Sequence, residues 1–123
     1  MTFHHPHIPN AQGALLGALI GDAAGATLEF LGREPNSDEI DHALTLPGGG
    51  VLSVAPGQIT DDGELTLALA RALDGSDEYP IERVASNYLR WISSAPFDVG
   101  NATSMAMDCR VQVHTPVHMQ MAA

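Results

Sequence analysis

At 123 residues the chain has room for one domain at most. A net charge of −10 and a pI near 4.6 argue against a nucleic-acid polymer as partner, because a phosphate backbone attracts the opposite sign. Hydrophobic residues make up 45% of the chain but aromatics only 5%, so a core of small side chains is expected, and the single Cys109 excludes an internal disulfide framework.

Residues 1–10 hold three of the six histidines and two prolines. Clustered histidines can bind a transition metal, but a disordered N-terminus is the expected reading. No basic region leads into an apolar one, so no signal peptide is expected. The apolar run 13–21 stops at Asp22 and is too short to span a bilayer. No membrane partner is expected, and the expected location is cytoplasmic.

Residues 11–30 predict the first helix, with Leu16, Ile20, Ala23 and Ala24 along one side. Gly13, Gly17, Gly21 and Gly25 recur every four residues. Such a stripe is costly unless a helix or ligand approaches the backbone, and helix packing is expected at Gly13 and Gly17. Asp22, Gly25 and Glu29 are spaced three and then four, so they share a second face. A carboxylate at Asp22, inside an apolar segment, either caps a neighbouring helix or lines a polar site.

Residues 32–57 are loop-rich, with Pro35, Pro47, Pro56 and the triplet Gly48-Gly49-Gly50. A short acidic helix is expected over 37–44 and a strand over 51–54. The triplet precedes no phosphate-binding lysine and is not a P-loop; it is expected to turn closely over the site. Thr60, Asp61 and Asp62 then open a helix running to Leu73. Asp61-x-x-Glu64 reads as an N-cap with its capping-box partner, and Leu65, Leu69 and Leu73 predict a core face. Adjacent carboxylates suit the positive end of the helix dipole, which is the commoner use of an acidic first turn. Three oxygen-bearing side chains in a row are also what a hard divalent cation takes as ligands. A third helix is predicted over 81–92 and a short one from about Asn101 to Asp108. Residues 109–123 carry no acidic residue and no helical stripe, and are expected to diverge as a tail.

Three segments together resemble signatures of the ADP-ribosylglycohydrolase family. They are the glycine-rich run from Gly17 to Glu29, the stretch from Gly48-Gly49-Gly50 to Thr60-Asp61-Asp62, and the run from Ser94 through Asp98, Gly100 and Asn101 to Thr103. The resemblance covers roughly residues 11–108. It implies an all-α helical bundle truncated to its N-terminal helices, with two divalent cations, Mg2+ or Mn2+, at the family's centre. It implies Thr60, Asp61 and Asp62 as metal ligands and Glu29 and Asp62 as catalytic carboxylates. Asp22, Gly25, Asp98, Gly100 and Asn101 are implied in substrate binding. The implied function is metal-dependent hydrolysis of ADP-ribose from modified side chains, with an ADP-ribosylated substrate or ADP-ribose as partner. The family's second ligand group, an Asp-Thr-Asp-like motif, lies far downstream, whereas Asp108 is the last acidic residue here. The alternative is therefore a truncated, non-catalytic remnant that binds a divalent metal or ADP-ribose weakly. A halved bundle would also leave apolar helix faces open to self-association.

Overall fold

The computed structural model describes residues 8–114, and the side chains of residues 9–108. Among these residues the chain is all-α, as expected. Its helices are α1 (Ile8–Gly25), α2 (Ser37–Ala43), α3 (Asp61–Leu73), α4 (Ile81–Ser93) and α5 (Asn101–His114). None is long and apolar enough to cross a membrane. Instead of the strand expected over 51–54, a single antiparallel bridge joins Gly49 to Val54, with residues 50–53 turning between them. The chain divides into two compact units, one ending at Thr66 and the other beginning at Leu67, so α3 runs through the boundary.

In the first unit α1 starts earlier and ends sooner than the expected 11–30. Residues 1–7 of the expected disordered terminus lie outside the described residues. At the other end Leu28 N–H donates to Gly25 O (2.8 Å), a tightened i→i−3 bond, and Phe30 adopts φ 60°. A left-handed residue cannot continue a right-handed helix. Only Ala23 and Ala24 of the expected apolar side are buried; Leu16 and Ile20 stay exposed. The expectation of helix packing at Gly13 and Gly17 is not met. A Cβ at Gly13, Gly17, Gly21 or Gly25 would meet no atom within 4 Å, because the stripe faces open space.

Asn36 caps α2. Its side chain accepts from Glu39 N–H, and Glu39 returns a bond to Asn36 N–H, both at 2.9 Å. Arg33 adds two guanidinium bonds to the Glu39 carboxylate, at 2.9 and 2.5 Å. The hydrogen bond from Arg33, then the one from the Asn36 backbone, pull the Glu39 carboxyl from its ordinary 4.5 down to about 2. A carboxyl with a depressed folded-state pKa contributes stability above its ordinary value, and loses it as pH falls toward about 2. In Glu39→Gln the loss of stability between pH 4.5 and about 2 should therefore be shallower than in wild type, as read from chemical denaturation across that range. The pair is solvent-exposed, so the difference should shrink in high salt.

The glycine triplet turns closely, but not over the site as expected: none of its residues lines the cleft formed by α1 and the start of α3. Gly48 lies at φ 74°, and a Cβ there would stand 2.6 Å from Val54 O and 2.7 Å from Pro56 N. Gly50 presses on the backbone of Thr27 just past α1, where a Cβ would stand 3.0 Å from Thr27 Cα.

The second unit packs α4 against α5. Val84 and Ala85 of the predicted α4 stripe are buried, and Asn87 donates to Ala68 O of α3 (3.0 Å). In α3 the buried residues are Gly63, Ala68 and Ala72 rather than the leucine row; Leu65 and Leu69 are half-buried and Leu73 is exposed. The small-side-chain core expected from composition is what forms: among the described residues, seven of the ten buried hydrophobic side chains are alanine. α5 runs to His114, six residues past the expected end at Asp108, and residues 115–123 of the tail lie outside the described residues.

Candidate active site

The first unit contains an open cleft of about 430 Å3. α1 and the turn after it contribute Gly17, Ala18, Gly21, Asp22, Gly25, Ala26 and Glu29. The start of α3 contributes Thr60, Asp62 and Thr66. Asp22, Gly25 and Glu29 thus share a face, as their spacing predicts. Glu29 keeps that register because its N–H still bonds to Gly25 O (3.2 Å), an i→i−4 bond just beyond the end of α1.

Asp22 joins the two segments. Its Oδ2 accepts Thr60 N–H and Gly63 N–H, both at 2.8 Å, and its Oδ1 accepts the Thr60 hydroxyl at 2.5 Å. Both roles considered for this carboxylate are realised: it caps a neighbouring helix and it lines a polar cleft. The capping box expected from Asp61 and Glu64 does not form the cap. Helical bonding begins with Glu64 N–H to Thr60 O (3.0 Å), which makes Thr60 the N-cap residue and Asp61 the first helical residue. The orphan amides are therefore met by a carboxylate from another helix. The Asp61 side chain accepts its neighbour's N–H, from Asp62 at 3.1 Å.

Gly63 is the position that residue patterning undervalues. It reads as a weak helix former, yet a Cβ there would overlap Asp22 Oδ2 and stand 2.7 Å from Ile59 Cβ. The glycine lets the Asp22 carboxylate reach the amide. Thr66 was also not singled out, although it lies four residues after Asp62 and so on the same helix face.

Of the three expected metal ligands, Thr60 and Asp62 line the cleft. Asp61 is half-buried beside it. Among the described residues Thr60 is the buried polar side chain, 4% exposed. Among the described residues no three His, Cys, Asp or Glu side chains gather closely enough to hold an ion. The donors present are all hard oxygens, and they fit one side of a divalent-cation shell rather than a whole one. Asp98, Gly100 and Asn101 belong to the second unit. There Gly100 O accepts Ser104 N–H (2.9 Å) and so opens α5.

The sequence profile described as ADP-ribosylglycohydrolase matches residues 5–118. The chain is 41% identical over 91 residues to the ADP-ribosyl-(dinitrogen reductase) glycohydrolase of Rhodospirillum rubrum, covering 74% of this chain and 31% of that protein. It is 36% identical over 108 residues to the ADP-ribosylarginine hydrolase Tri1 of Pseudomonas putida, covering 82% of this chain and 28% of that protein. The Tri1 of Serratia proteamaculans is 35% identical over the same length. The chain thus spans about three tenths of the length of these curated relatives.

Proposed function

Since the chain belongs to the ADP-ribosylglycohydrolase family, we propose that its cleft is the acidic side of a site that hydrolyses ADP-ribosyl groups, with an arginine-linked ADP-ribose as substrate. The observation that carries this reading is the convergence of Asp22, Glu29, Thr60 and Asp62 on one cleft.

The bond to be broken joins the anomeric carbon of the ribose to a guanidinium nitrogen. Positive charge grows on that carbon as the bond stretches, and an anionic cleft stabilises it. Water adds to the carbon, and a cleft carboxylate, Glu29 or Asp62, accepts one of its protons. The leaving nitrogen takes a proton, and ADP-ribose and unmodified arginine are the products. Thr60, Asp61 and Asp62 would hold a divalent cation, Mg2+ or Mn2+. When bound, such a cation supplies Lewis acidity and orients ribose hydroxyls. The open glycine face from Gly17 to Gly25 leaves room for a ligand beside those carboxylates.

A second reading is favoured by the donor set of the cleft, since among the described residues no three His, Cys, Asp or Glu side chains gather to hold an ion. A cation wants about six oxygen ligands, and the cleft supplies fewer. On this reading the chain binds ADP-ribose or a divalent cation weakly and does not turn over. The test is release of ADP-ribose from an ADP-ribosylarginine substrate with millimolar Mn2+. Hydrolysis that falls by about 100-fold or more in Asp62→Asn supports the enzyme, at the lower end of what a positioned acid or base contributes. No release, with calorimetric binding of ADP-ribose retained, supports the second reading.

A further inference from the structure

We infer that Asp22 is a positioning residue, acting on the cleft through Thr60 and Gly63 rather than by contact with the substrate. The inference rests on the reading of the cleft as a divalent-cation and ADP-ribosyl site. A carboxylate offers about four lone-pair positions. Three are filled: Oδ2 by the amides of Thr60 and Gly63, and Oδ1 by the Thr60 hydroxyl. Little of Asp22 is left for a ligand.

What those bonds fix is the state of the neighbouring donors. A hydroxyl coordinates a cation through a lone pair, so its hydrogen must point elsewhere. Asp22 Oδ1 takes that hydrogen from Thr60, and burial keeps water from competing for it. The two amide bonds bracket Asp61 and Asp62 in sequence. They pin the turn before and after the pair, which holds Asp62 on the cleft side of α3. Gly63 is the second half of the device, since any side chain there would push the carboxylate off its amide. Preorganised donors bind a cation more tightly than donors that must be ordered on binding.

The experiment measures Mn2+ dissociation constants on Asp22→Asn, Gly63→Ala and wild type by calorimetry. It is run well below each melting point, with amide exchange at Ala26 and Leu44 as the check that the first unit is folded. Asp22→Asn removes a charge as well as weakening the cap, whereas Gly63→Ala removes no charge. Both are expected to weaken Mn2+ binding by tenfold or more, with faster exchange confined to the amides of Thr60 and Gly63. Wild-type affinity in the folded Gly63→Ala protein would overturn the positioning role alone. Absence of Mn2+ binding by wild type would overturn the reading of the cleft and the inference with it.

Discussion

Replacing Asp22 with alanine is expected to destabilise the folded chain by about 2–4 kcal/mol, because three donors lose a charged acceptor at once. Losing a helix N-cap alone costs about 0.5–2 kcal/mol. The Thr60 hydroxyl adds to this, since it is buried and no solvent replaces the bond. For a chain of this size that corresponds to a fall of roughly 10 °C in melting temperature. Asp22→Asn keeps one acceptor oxygen and should lose about half as much. Thermal unfolding of the three proteins followed by circular dichroism gives the order wild type, Asn, Ala. An alanine variant as stable as wild type would mean that the cap contributes nothing in solution.

Gly63→Ala should also destabilise, although helix propensity alone predicts a gain of about 1 kcal/mol. The added methyl overlaps Asp22 Oδ2 and Ile59 Cβ, and overpacking of this kind costs about 1–3 kcal/mol. Displacing the carboxylate weakens the cap as well, so the net loss is expected near 2 kcal/mol. Denaturant unfolding decides the sign. A midpoint above that of wild type would show that Asp22 and Ile59 move aside at no cost.

These two substitutions mark where the chain was legible as a sequence. α2, α3 and α4 lie within a residue or two of where periodicity and turn residues put them, because each is bounded by a local signal such as Asn36, the turn at Pro56-Gly57, or Pro80. The shared face of Asp22, Gly25 and Glu29 was legible for the same reason, since it follows from helical spacing alone. The owner of the α3 cap was not legible. Asp61 has the right residue type and the right spacing to Glu64, but the amides are satisfied by a carboxylate 38 to 41 residues earlier. Local pattern carries no information about a competitor that distant. The leucine row of α3 misled for a related reason. With alanine supplying most of the buried side chains, the helix buries Ala68 and Ala72 and leaves the longer Leu73 at the edge. A strand was expected over 51–54, yet left-handed Gly48, Gly49 and Gly50 at the start of the turn and left-handed Ser53 at its end allow only one paired position, Gly49 with Val54.

The family resemblance drew its strength from three motifs in order. The cleft gathers most of the residues that the resemblance implied in the first two, Asp22, Gly25 and Glu29 from one and Thr60 and Asp62 from the other, with Asp61 outside its lining. They sit close together because Asp22 binds the start of α3 directly, so the cap and the acidic cleft are one structural feature.

Whether Asp61 and Asp62 serve a cation is read most directly from thermal melts with and without millimolar Mg2+ or Mn2+, on wild type and on the Asp61→Asn, Asp62→Asn double variant. A ligand that binds only the folded state stabilises it by RT ln(1 + [L]/Kd), under about 1 kcal/mol until its concentration well exceeds Kd. Wild type is therefore expected to gain a few degrees and the double variant none, with the variant at least as stable as wild type in the absence of cation because the two carboxylates no longer repel. Equal responses of the two proteins would contradict the account and leave these carboxylates as ordinary helix-end residues.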